Sequence, residues 1–127
     1  MKIHHIAIYV HDLEKTKAFY ETYFGGQTNT QYHNPKTGLK TYFLSFEGDC
    51  NLEIMEKPGI PIAEHSTEHT GYTHLAFSLG DPESVDRLTD RLRKDGYTVF
   101  SEPRTTGDGY YESCVSDPDG NRIEIVA

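Results

Sequence analysis

No stretch of this sequence stays apolar for the length a bilayer requires, and residues classed as hydrophobic make up 35% of it against 25% charged, so a membrane-spanning helix is excluded and a soluble chain is expected. Basic residues are scarce, 12 Lys and Arg against 20 Asp and Glu, for a formal net charge of −8. That balance repels phosphate backbones and anionic lipid surfaces. No local basic stripe offsets it, so neither nucleic acid nor membrane is an expected partner. The start, Met1-Lys2-Ile3-His4-His5-Ile6, lacks a charged leader, an apolar segment and a small-residue cleavage site, which points to the cytoplasm. Cysteine is nearly absent as well. Two well-separated thiols, Cys50 and Cys114, are ordinarily free and buried in an unexported protein, and they carry no functional weight.

What is present is a repeat. The chain of 127 residues is long enough for one domain with a core of its own. His5-Ile6-Ala7 returns as His74-Leu75-Ala76, and seven residues after each histidine stands an aspartate, Asp12 or Asp81. Each aspartate is suited to cap a helix. In the first helix Leu13, Thr16, Lys17, Tyr20 and Phe24 share a face and Gly25-Gly26 forms the stop; in the second, Pro82 takes the first position, Val85, Leu88 and Leu92 form the stripe, and Gly96 ends it. Downstream, Asn51-Leu52-Glu53-Ile54-Met55 is echoed by Arg122-Ile123-Glu124-Ile125-Val126. The histidines lie 69 residues apart and the glutamates 71. Two further strands fit into each half: 28–33 and 41–46 in the first, 97–100 and 110–115 in the second, with turns at 34–38 and 117–121. Each half therefore reads as strand, helix and three strands, about 1–56 and about 72–127. The segment 57–71 between them reads as a linker that could also fold over a site.

Strand alternation makes four residues stand out. Ile6, Ile8 and Val10 share one parity while His5, Ala7 and Tyr9 share the other. Glu53 lies between Leu52 and Ile54, and Glu124 between Ile123 and Ile125. A glutamate in such a pattern is ordinarily the wet face of an antiparallel sheet, and a lone histidine is ordinarily a surface group. Here both types recur in the same order and spacing. Inherited symmetry alone would preserve that pattern, but two imidazoles and two carboxylates converging from four strands would make a charge-neutral site for a divalent cation, with two positions open if the ion is six-coordinate. His4 has the opposite parity to His5 and is expected to pack or face solvent. His11 and His33 sit near turns, and His65 and His69 in a proline-preceded loop, all expected at the surface.

The motifs His-His-Ile-Ala-Ile-Tyr-Val-His-Asp-Leu-Glu-Lys-Thr-Lys-Ala-Phe-Tyr at 4–20, Thr-His-Leu-Ala-Phe at 73–77 and Asp-Pro-Asp-Gly-Asn-Arg-Ile-Glu-Ile at 117–125 resemble the vicinal oxygen chelate superfamily. It includes glyoxalase I, bleomycin resistance proteins, methylmalonyl-CoA epimerases, extradiol dioxygenases and fosfomycin-resistance thiol transferases. The resemblance covers nearly the whole chain. It implies an α+β fold of paired βαβββ modules forming a curved mixed sheet around a metal cavity, with His5, Glu53, His74 and Glu124 as ligands to one divalent ion (zinc, nickel, cobalt, manganese or iron). It also implies a homodimer.

Extradiol dioxygenases and fosfomycin enzymes use two histidines and one glutamate, so the second carboxylate, Glu53, brings the chain nearer to bacterial glyoxalase I. The implied activity is that of a lyase or isomerase in which the metal binds two vicinal oxygens and stabilises an enediolate. Glu124 is the stronger candidate for the base that moves the α-proton, with Glu53 as the other. Glutathione-dependent relatives often carry Arg four positions after the first ligand, where this chain has Tyr9. Tyr9, Tyr42, Arg104 and Tyr111 are candidates for the cavity wall and the substrate. Two other readings remain open: a dioxygenase or thiol transferase, and a metal-free protein that sequesters a drug or other ligand.

Overall fold

Helix caps act as written. In a computed structural model describing residues 1–62 and 70–127, the Asp12 side chain accepts the Lys15 N–H at 2.9 Å at the start of α1 (Leu13–Phe24), and Asp81 accepts that of Ser84 at 2.8 Å at the start of α2 (Pro82–Lys94). Each bond satisfies one of the N–H groups that a helix start leaves without a partner. The end of α1 uses two glycines for different reasons. Gly25 takes the left-handed conformation at φ 66°. Gly26 faces Leu44, whose Cδ2 would stand 2.8 Å from any added Cβ.

The chain divides into two compact units, Met1–Ala63 and Glu64–Ala127. The first holds β1 (His5–Tyr9), α1, β2 (Gln27–Thr28), β3 (Tyr32–His33), β4 (Lys40–Ser45) and β5 (Asn51–Glu56). Its sheet runs β1-β5-β4-β2, with β3 also on β4; β1 and β5 are parallel and the other pairs antiparallel. The second unit holds β6 (His74–Ser78), α2, β7 (Val99–Thr105), β8 (Tyr111–Ser116) and β9 (Arg122–Val126), in the order β6-β9-β8-β7. Again the first and last strands pair in parallel. The result is an α+β fold of two helices and two mixed sheets among the described residues, as the repeat and the resemblance lead one to expect.

In each unit one sheet face packs on the helix. Register aligns Ile6 with Leu52 and Ile8 with Ile54, then Leu52 with Leu44 and Ile54 with Tyr42. These rows meet Leu13, Thr16, Phe19 and Tyr20, the buried face of α1. In the second unit Val115, Ile123 and Ile125 are fully buried, as are Val85, Thr89 and Leu92 of α2. Each such aliphatic side chain contributes about 1.5–3 kcal/mol by leaving water. Leu88, on the expected apolar stripe, is only half-buried, whereas Thr89 is fully buried. Its hydroxyl is satisfied inside, donating to the Val85 carbonyl at 2.7 Å and lying 2.7 Å from the Ser113 hydroxyl.

Three expectations need correction. The strand expected over 28–33 is two short pieces, because Asn29 interrupts it: its side chain accepts the Phe43 N–H at 2.9 Å while its own N–H reaches the Phe43 carbonyl at 3.1 Å. The strand expected over 97–100 is β7, later and longer. It carries Pro103, tolerated because β7 is an edge strand whose register shifts between Ser101 and Arg104. Both cysteines are free, but only Cys114 is buried; Cys50 is exposed. The expectations for His65 and His69, and for residues 63–69 of the linker, lie outside the described residues. No helix among the described residues is long and apolar enough to cross a membrane.

Candidate metal centre

The face of each sheet turned away from its helix carries one histidine and one glutamate. In the first unit Ala7 is registered against Glu53, with His5 two residues earlier on the same face; in the second, Ala76 is registered against Glu124, with His74 two residues earlier. A small alanine opposite each carboxylate leaves space into which the imidazole can lean along the strand. The outcome is the same contact twice: His5 Nε2 lies 3.7 Å from Glu53 Oε2, and His74 Nε2 lies 3.1 Å from Glu124 Oε2.

All four side chains are partly exposed, at 39% and 18% for the first pair and 38% and 22% for the second, so a solute can reach them. Their separations suit shared coordination. Two donors each about 2.1 Å from an ion stand about 3 Å apart at a right angle and about 3.5 Å apart at a wider one. Imidazole nitrogen and carboxylate oxygen form a donor set that suits several divalent first-row metals. Each unit brings together two of the four candidates. Among the described residues no group of three or more His, Cys, Asp or Glu is close enough to hold a metal ion.

His4, set aside in the sequence, contacts the first pair. It precedes β1 and so escapes the strand's alternation, and its Nδ1 lies 2.8 Å from His5 Nδ1. With the proton on His5 Nδ1, that ring donates to His4 and keeps the Nε2 lone pair turned toward Glu53, the tautomer a metal ligand needs. Phe43, registered against Glu53, packs edge-on to His5 with ring centroids 5.4 Å apart. Its signal in the sequence was its place two strands from His5 on the same parity, legible only once the register was known.

In the second unit, burial pushes the Glu124 carboxyl above its ordinary pKa; the neighbouring His74 opposes this, Glu112 adds to it, and Arg104 opposes it. Around Glu124 on this face lie Cys114, registered against it, and Arg122, whose guanidinium stands 4.3 Å from the Phe100 ring centroid. Burial raises the Cys114 thiol, which makes it a poor nucleophile.

Of the four candidates for the cavity wall, two share the ligand face and two do not. Tyr9 is registered against Met55, on the side of Glu53. Arg104 is registered against Glu112, on the side of Glu124. Tyr42 is registered against Ile54 and turns to the helix, its hydroxyl donating to Glu14 at 2.9 Å and Lys17 lying over its ring. Tyr111 likewise turns to α2 and donates to Asp86 at 2.7 Å. Tyr42 and Tyr111 are thus helix-facing, and their expected place on the wall is corrected.

A mixed sheet backed by one helix, with a histidine and a glutamate on the face turned away from that helix, occurs in both units and defines a protein of repeated βαβββ modules. Comparison with known proteins gives the family. Residues 2–125 match the Glyoxalase/Bleomycin resistance protein/Dioxygenase superfamily, and the chain belongs to it. It is 33% identical to protein YwkD of Bacillus subtilis, an uncharacterised protein, over 97% of this chain and 94% of that one. It is 27% identical to a lactoylglutathione lyase of Haemophilus influenzae, over 99% of this chain and 92% of that one. Among solved structures, a glyoxalase family protein from Enterococcus faecalis superposes with a TM-score of 0.81 at 28% identity, covering 99% of this chain and 97% of that one.

Proposed function

We propose that the protein is a divalent-metal-dependent lyase or isomerase of the glyoxalase I type, working by proton transfer on a small oxygenated substrate. The observation that carries this reading is the pairing of a histidine Nε2 with a glutamate Oε2 at the equivalent place in both units. Similarity to lactoylglutathione lyases supports the same class. In this reading His5, Glu53, His74 and Glu124 would hold one divalent cation, which would supply Lewis-acid polarisation of the substrate oxygens. His4 fixes the tautomer of His5. Glu124 takes the α-proton and returns it to the neighbouring carbon. Glu53 keeps the site neutral in charge. Tyr9 stands where glutathione-dependent relatives often carry arginine, which argues against a glutathione adduct as the substrate. The protein acts as a homodimer, as the resemblance implies.

Metal content of untagged protein, measured beside a Glu53→Gln, Glu124→Gln double variant, tests the reading. About one transition metal for each set of four ligands, lost in the variant, is expected. Protein that takes up no divalent metal after reconstitution would refute it and leave sequestration of a ligand as the activity to pursue. Oxygen consumption by the iron-loaded form would instead favour a dioxygenase.

A further inference from the structure

On the ligand face of the second sheet a single cross-strand row joins Ala76, Glu124, Cys114 and Ser101, one residue from each of β6, β9, β8 and β7. Arg104 lies further along β7 but reaches back along it, donating through Nη1 to the Ser101 hydroxyl. This holds the guanidinium at the far end of the row that contains Glu124. Strands stand about 4.8 Å apart, so β7 and β9 place the two groups about 10 Å apart across the face. Arg104 is exposed and, among the described residues, makes no ion pair, although Glu112 is registered directly opposite it. The other arginines with described contacts are committed: Arg87 and Arg93 to carboxylates of their own surroundings, Arg122 to the Phe100 ring. An oriented fork of donors with no carboxylate in ion-pair contact among the described residues, on the same face as a candidate metal ligand whose charge it influences, is suited to recognise a carboxylate.

We propose that Arg104 is a specificity-determining residue and that the substrate carries a carboxylate joined to its chelating oxygens by a short saturated chain. The inference rests on the metal-centre reading. The span follows from the same row: of the roughly 10 Å between Glu124 and the guanidinium, coordination takes about 2 Å at each metal bond and a charge-assisted hydrogen bond about 2.8 Å. Because these contacts are not collinear, a short saturated chain fills the remainder. Such a substrate is a compact 2-oxo or 2-hydroxy-oxo acid with a terminal carboxylate. A neutral carbonyl compound would leave Arg104 unpaired.

Two hydroxamates of equal chain length test this on cobalt-loaded full-length protein: glutarate monohydroxamate, which ends in a carboxylate, and pentanohydroxamate, which ends in a methyl group. Binding is followed by calorimetry, and the cobalt absorption spectrum reports the metal separately. The carboxylate probe is expected to bind about tenfold more tightly to the wild type. Arg104→Met is expected to abolish that preference while leaving pentanohydroxamate affinity and the cobalt spectrum unchanged. Equal affinities in the wild type, or a preference that survives in the variant, would overturn the assignment with the metal centre intact. Failure of cobalt to bind at all would refute the metal-centre reading and this inference with it.

Discussion

Replacing Tyr42 with Phe tests which sheet face does which job. Tyr42 is 9% exposed, and the substitution removes only the hydroxyl that donates to Glu14 at 2.9 Å. The aromatic ring stays, and with it the contact to Lys17, whose Nζ lies 4.7 Å from the ring centroid. A buried hydrogen bond to a charged acceptor can be worth about 1.5–3 kcal/mol. Glu14, however, is 63% exposed at its side chain and pairs with Lys17 at 3.8 Å. Water therefore screens the acceptor and can replace the donor, which brings the expected loss to about 1 kcal/mol. For a chain of this size that lowers Tm by about 4 °C. Urea unfolding should show a lower midpoint at unchanged slope, and cobalt affinity should not move. Tyr9→Phe makes the contrast, since Tyr9 is 47% exposed on the ligand face and the change should alter stability by less than about 0.5 kcal/mol. A Tyr42→Phe variant with wild-type stability but weakened metal or hydroxamate binding would show that the register argument assigned the wrong face.

Two further outcomes follow from buried polar groups. Thr89 and Ser113, both 0% exposed and 2.7 Å apart, should each cost about 1–2 kcal/mol when replaced singly by Val and Ala; the double variant should lose at least about 1 kcal/mol less than the two added, because no hydroxyl is then stranded. Strict additivity in a thermal or urea double-mutant cycle would contradict the contact. Asp117 accepts the N–H groups of Asp119 and Asn121 and the Asn121 side chain, yet burial raises its pKa above the ordinary value of 3.8. The unfolded chain then releases this proton more readily than the folded one, so the Asp117 contribution to stability is greatest below pH 3.8 and is lost as pH rises through the folded pKa. The stability of the wild type relative to Asp117→Asn should accordingly fall with rising pH across the acid range, and a rise would show that the hydrogen bonds outweigh burial.

Local rules wrote much of this molecule into its sequence. The Asp12 and Asp81 caps, the glycine stops, the parallel halves and the parity of His5, Glu53, His74 and Glu124 each depend on residues within a turn or a strand, where periods of 3.6 and 2 operate without reference to the rest of the chain. Family membership was legible for the same reason, since its motifs lie in those local segments. The strand pairing decided the remainder. Thr41-Tyr42-Phe43-Leu44 and Tyr111-Glu112-Ser113-Cys114-Val115 have side chains of mixed character on both parities, so alternation alone could not tell wall from core for Tyr42 or Tyr111. Pairing Tyr42 with Ile54 and Val115 with Ile123 did. His4 belonged to no alternation until the start of β1 was fixed, and Arg104 met the Glu124 row only through a register shift in an edge strand. A side chain's face is set by its own strand, but which face meets a helix is set by the neighbour across the ladder, and that partner lies many residues away in the chain.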